Sequence, residues 1–181
     1  MTRSKALIFT ALLAVTAVLG LTASPARSAS KGGKRHLVTL NHQLVAAINV
    51  FRAQHGLTPL TVSTDLNAAA RQHSVEMGTD GYFDHPSYDG TAFWKRIQSY
   101  YSATGYSYWT VGENLLYMSP TISAADALKM WIASPEHKRN LLDKNWRDLG
   151  VSAVKVRNAP GVYGGDTVTI ITADFGARSS S

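Results

Sequence analysis

The chain has 181 residues, 45% of them hydrophobic, no cysteine and a formal net charge of +6. The absence of cysteine excludes a disulfide scaffold, a thiol nucleophile and a lipid-attached cysteine. The positive charge excludes less than it first suggests, because of where it lies. Six of the 18 Lys and Arg (Arg3, Lys5, Arg27, Lys31, Lys34, Arg35) precede Leu37, leaving 12 against 12 Asp and Glu, all of which lie beyond the arm. A formally balanced remainder lacks the basic face of a nucleic-acid-binding domain, and no nucleic-acid partner is expected.

Residues 1–29 read as an export signal: Arg3 and Lys5, an uncharged apolar run from Ala6 to Leu21, then small residues. The run is shorter than the roughly 20 residues of a spanning helix, so no stable membrane span is expected after cleavage. About 150 mature residues can bury a core without disulfides, which suits a cysteine-free bacterial secreted protein. Residues 30–38, with Lys31-Gly-Gly-Lys-Arg35, read as a basic flexible arm.

From Leu37 the apolar period is helical, with Leu40, Leu44, Ile48 and Phe51 on one face up to Gly56. Leu57-Thr-Pro-Leu60 connects to a second helix that starts near Ser63 or Thr64 and closes over Gly78–Gly81. Its face is Leu66, Ala69, Ala70 and Met77, with His73 beside them as a packing residue bonded to a backbone carbonyl. Gly81-Tyr-Phe-Asp-His-Pro86 has no regular period. Pro86 biases His85 towards extended backbone, and His85 is as compatible with a site as with a surface loop.

A third helix is expected over 91–100, with Phe93, Trp94 and Ile97 buried. Tyr101–Trp109, rich in aromatics, is expected to pack on itself rather than form an exposed binding surface. Thr110–Tyr117 reads as a strand. Glu113 inside it costs several kcal/mol unless paired, so it is either satisfied by amides or faces a histidine or metal.

Ser123-Ala-Ala-Asp126 has the form of a capping box and opens a helix that ends at Ser134. Pro135 then suits the first position of a new helix, with Ser134 as its N-cap, Glu136 in the first turn and Leu141 and Leu142 as anchors. The positive helix end favours a neutral, ligand-competent His137. Leu149–Val156 and Thr167–Phe175 read as the strands of a closing hairpin, and Gly176–Ser181 as a fraying tail. The sum is a single α+β domain with a small antiparallel sheet flanked by helices.

Asn49-Val-Phe-Arg-Ala-Gln-His-Gly-Leu-Thr-Pro-Leu60, Phe83-Asp-His85, Gly112-Glu-Asn-Leu115, Trp131–His137, Leu149-Gly-Val151 and Asp174-Phe-Gly176 occur in one order. In that order and spacing the chain resembles the CAP superfamily (cysteine-rich secretory proteins, antigen 5 and pathogenesis-related proteins), in its bacterial, cysteine-free branch. The resemblance implies a three-layer α-β-α sandwich over 39–177, with 178–181 as a disordered tail. It also implies a cleft of two histidines and two glutamates able to bind zinc or another divalent cation. Matched by motif, these are His85, Glu113 and His137. Ser134 stands where the second glutamate of the eukaryotic pattern falls, with Glu136 or Asp148 as nearby substitutes. His85 and His137 are the candidate metal ligands, and Glu113 the candidate catalytic base or a hydrogen-bonding support.

The function expected first is a secreted, monomeric, non-enzymatic module that binds a small molecule, lipid, or envelope or host component. A metal-assisted hydrolase (protease or nuclease) and an envelope-associated structural protein are the alternatives. No HExxH, Gly-x-Ser-x-Gly or cysteine motif supports the hydrolase.

Overall fold

The computed structural model describes residues 33–180, so the expected signal and residues 30–32 lie outside the described part. The elements run β1 (Lys34–His36), α1 (Val38–Gln54), β2 (Thr61–Val62), α2 (Thr64–Asp80) and α3 (Phe93–Tyr100). β3 (Tyr108–Met118), α4 (Ala124–Ala133), α5 (Pro135–Leu141), β4 (Asp148–Val156) and β5 (Val168–Ser179) complete the chain. The sheet has the order β1-β4-β5-β3, and β2 adds to β4 in parallel.

Strand alternation divides the chain into three layers. Leu149, Val151 and Ala153 of β4, Ile171, Ala173 and Phe175 of β5, and Leu116 of β3 share one face. That face packs on Leu44, Ile48, Phe51, Trp131 and Leu141 of α1, α4 and α5. The other face takes α2, whose Met77 packs on Val154, Val156 and Ile170, and α3 packs on α2 through Ile97 and Leu66. Gly150 is where α2 crosses β4: a Cβ there would stand 2.1 Å from the Leu66 carbonyl carbon.

Several sequence features explain local structure. The Ser63 Oγ accepts from Leu66 N and caps α2, and Gly81, in the left-handed region at φ 76°, ends it. The Ser123 hydroxyl accepts from Asp126 N, which caps α4, and donates to the Asp126 carboxylate, so the acid meets the serine side chain rather than its backbone N–H. Asn49 holds both backbone groups of Leu60. Arg52, buried, donates to the carbonyls of Thr58, Leu141 and Asp143, and so ties the end of α1 to the end of α5.

Three expectations are corrected. Lys34–His36 is an edge strand rather than a flexible arm, because its ladder with Val154–Val156 continues into Leu37 N→Ala153 O. The tail does not fray at Gly176: β5 runs to Ser179, paired to Tyr108 and Trp109. Arg178 holds it there, stacked 3.9 Å from the Tyr101 ring and bonded to Asp65. Trp94 is 42% exposed, and the inward face of α3 is half-buried Phe93 with buried Arg96 and Ile97, at i, i+3 and i+4. Thr61–Val62, just after the expected connector, adds a short strand.

The aromatic stretch packs only in part, since Tyr106 and Tyr108 are exposed. Tyr101 is fully buried, and the Trp109 indole donates to its carbonyl. None of Tyr100–Trp109 lines the cleft described next.

Candidate functional site

A cleft of about 590 Å³ runs along β3, the sheet edge without a neighbouring strand. Gly112, Glu113 and Asn114 form its floor, His85 and Phe93 one wall, and Glu136, His137 and Asn140 the other. The two histidines come from opposite layers, His85 from the loop after α2 and His137 from α5. The structure thus brings together His85, Glu113 and His137. Ser134 is absent from the lining; it sits between α4 and α5, and its hydroxyl makes no capping bond. Asp148 is also elsewhere, accepting from the Tyr101 hydroxyl at 2.6 Å, whereas Glu136 does line the cleft.

Each residue of Gly112-Glu-Asn has its own reason. A Cβ at Gly112 would stand 2.7 Å from Asn140 Oδ1 and 2.8 Å from the Trp146 ring, so glycine lets α5 approach the strand. Asn114 points to the same side, donates to the His137 carbonyl at 3.1 Å and accepts from Asn140. Glu113 points to the opposite face, where its side chain is fully buried. One oxygen meets His85 Nδ1 at 2.7 Å, and the other meets the buried Arg96 guanidinium. Arg96 also donates to Ser87 Oγ and the His85 carbonyl, so a single cation fixes both the carboxylate and the loop that carries the histidine.

Charge assigns the protonation states. The Glu113 hydrogen bond is the main cause that raises the His85 pKa, against a smaller opposing effect of burial. With Nδ1 held as donor, Nε2 is the ring nitrogen left for the cleft. The His137 pKa is lowered, first by burial and then by the positive charge of His85. Its neutrality therefore follows as the sequence implied, with burial rather than the dipole of a short helix as the first cause. His73 is fully buried and bonds the Asp84 carbonyl at 2.9 Å, the packing role expected of it. Burial lowers its pKa too, so its 3.9 Å approach to Glu113 joins a neutral ring to a carboxylate.

Two residues of the site escape the sequence reading. Arg96 is one. Asp174 is the other: it lies across the ladder from Glu113, is fully buried, and finds no partner for either oxygen. Burial first, and then the Glu113 charge, raise its pKa well above the usual carboxylate range. Protonated, Asp174 is a donor next to an anionic acceptor, which removes the conflict of two buried carboxylates. A rule was available for both residues: a buried Glu needs a cation, and alternation along β5 puts Asp174 on the buried face with Ile170 and Thr172.

An α-β-α sandwich with a histidine–glutamate cleft along its edge strand defines the class. The sequence model of the cysteine-rich secretory protein family (CAP) matches residues 45–173, more than half of the chain, and the chain belongs to that family. Among relatives, it is 32% identical over 113 residues to the uncharacterized protein YkwD of Bacillus subtilis, covering 62% of this chain and 42% of YkwD. The uncharacterized membrane protein YlbC of the same organism is 27% identical over 118 residues, covering 65% and 32%. The chain thus spans less than half the length of these two relatives.

Among solved structures, an outer surface protein from Borrelia burgdorferi aligns with TM-score 0.66 and 20% identity, covering 82% of this chain and 99% of that one. An extracellular protein containing an SCP domain from Bacillus anthracis aligns with TM-score 0.59 and 26% identity, covering 76% and 40%. The α-β-α architecture expected from the motifs is the one these share.

Proposed function

We propose that this chain is an extracellular or envelope-associated binding module whose cleft takes a ligand together with a weakly held divalent cation. The observation that carries the reading is the pair of imidazoles lining one cleft from two layers, with Glu113 fixing the ring of His85. His85 and His137 would hold the cation, and Glu113 would support His85 from behind. Among the described residues no group of three or more His, Asp and Glu converges as a metal set. Two imidazoles fit an open, reversible site, to which the ligand or solvent adds further donors. A bound zinc would supply a Lewis-acidic anchor for an oxygen of the ligand.

Location outside the cytoplasm is supported by the leader-like first 29 residues and by the extracellular and outer-surface descriptions of the aligned structures. The hydrolase alternative needs Glu113 as a general base. Engagement of both its oxygens by His85 and Arg96 speaks against that role.

Isothermal titration of zinc into the metal-stripped protein tests the reading, beside a His85→Ala, His137→Ala double variant. Micromolar binding that disappears in the variant is expected. Absence of binding to the unaltered protein, or equal binding to both, would remove the cation from the proposal.

A further inference from the structure

A second site lies at the opposite edge of the sheet, independent of the cleft. Two adjoining depressions of about 450 and 510 Å³ flank β1 and share His36 and Arg71 in their walls. On β1, Lys34 and His36 alternate onto the face covered by α2, opposite Val156 and Val154. On α2, Ala68, Arg71, Gln72 and Val75 form the helix edge that runs beside them. The first depression continues over the start of α1, between Asn41, His42 and Val45.

The chemistry of this groove is one-sided. Lys34, His36, His42 and Arg71 line it, and no Asp or Glu does. Among the described residues Arg71 has no carboxylate within ion-pair distance. Asn41 and Asn67 add to the donors. Each turns its Oδ1 to a backbone N–H in the gap that β1 and β2 leave along β4, from Ala153 at 2.7 Å and Val151 at 2.8 Å. With one lone pair of each oxygen so occupied, the Nδ2 groups are left as donors beside the groove. Ammonium, guanidinium, two imidazoles and two amides thus line two adjoining depressions that meet at His36 and Arg71.

We propose that this groove is a binding site for a phosphate group. A phosphate offers more acceptor oxygens and more charge than a carboxylate, and the Arg71 fork matches it in a bidentate way. Val38, Val45, Ala46 and Val62 beside the cations provide an apolar wall for whatever carries the phosphate. Lys34, bonded to Thr79 at 3.1 Å, is already anchored to α2 and closes the far end.

The test titrates inorganic phosphate into the protein, followed by NMR of the histidine rings, with acetate as the comparator. Without phosphate, burial, Arg71 and Lys34 all lower the His36 pKa. Bound phosphate should raise it and shift the His36 and His42 signals while leaving His85 unmoved. Arg71→Gln, at an exposed position, should weaken binding about tenfold or more and leave zinc titration of the cleft unchanged. Lys95→Gln, on α3, should leave phosphate binding as it was. The proposal is overturned if phosphate moves none of these signals, if Arg71→Gln binds as well as the unaltered chain, or if acetate binds as tightly as phosphate.

Discussion

Replacing Arg96 with methionine is the sharpest test of how the cleft is held together. Arg96 is 3% exposed as a residue, and its partner Glu113 has a fully buried side chain. Methionine keeps an apolar stem of similar length and leaves Glu113 as a buried anion facing Asp174. Removing one partner of a buried ion pair costs about 3–5 kcal/mol, most of it the uncompensated charge. The bonds from Arg96 to Ser87 and to the His85 carbonyl go as well, which puts this case towards the upper part of that range. For a domain of this size each 1 kcal/mol is about 2–4 °C, so the melting temperature should fall by roughly 10 °C or more.

Urea and thermal denaturation followed by circular dichroism would measure the loss. Adding Glu113→Gln to Arg96→Met removes the stranded charge and should recover at least about 1 kcal/mol relative to the sum of the two single effects. A loss below about 1 kcal/mol, or strict additivity of the two changes, would refute the assignment of Arg96 as the counter-ion of the site.

Other outcomes follow from the same cluster. NMR titration should show His85 protonating above the usual imidazole value and His137 below it; in Glu113→Gln the His85 value should fall, and an unchanged value would contradict the hydrogen bond as its cause. His85 therefore adds stability that is present below about 6.5 and is lost as pH rises through its raised folded value. Asp174 has a raised folded pKa as well, so its contribution to stability should decline as pH climbs above about 3.9 towards that value. Asp174→Asn should remove that decline and become relatively more stable with rising pH; a difference independent of pH in denaturation series would argue against a protonated Asp174. Gly150→Ala forces a methyl into the α2 backbone 2.1 Å away and should cost about 3 kcal/mol or more by urea denaturation.

How far the site was legible in the sequence depends on whether each residue's partner is local. Gly112-Glu-Asn and the helix start at Pro135–His137 could be read because turn chemistry, helix starts and motif order are properties of short segments, whereas the capping bond expected of Ser134 is not made. The α-β-α layers were legible for the same reason, since each helix and the closing hairpin carries its own apolar period. Arg96 escapes the sequence reading because Trp94, an apolar ring, is the residue expected beside Phe93 and Ile97 on the buried side of α3. In the folded chain the i, i+3, i+4 face from Phe93 takes Arg96 inward to meet Glu113, 17 positions further on.

Asp174 is the same problem at longer range. Alternation along β5 makes it a buried acid, but only the β3–β5 register makes it the neighbour of Glu113. Lys34–His36 failed in the opposite sense: a basic segment of three residues carries too little pattern to be recognised as a strand before β4 is in place. That placement matters for function, because it moves Lys34 and His36 from a solvated leader onto the α2 face of the sheet. With Lys34 and Arg35 in the sheet, residues 33–180 carry 14 basic against 12 acidic residues and gain a local positive field at one edge, while the buried charges of the cleft compensate one another at the other edge.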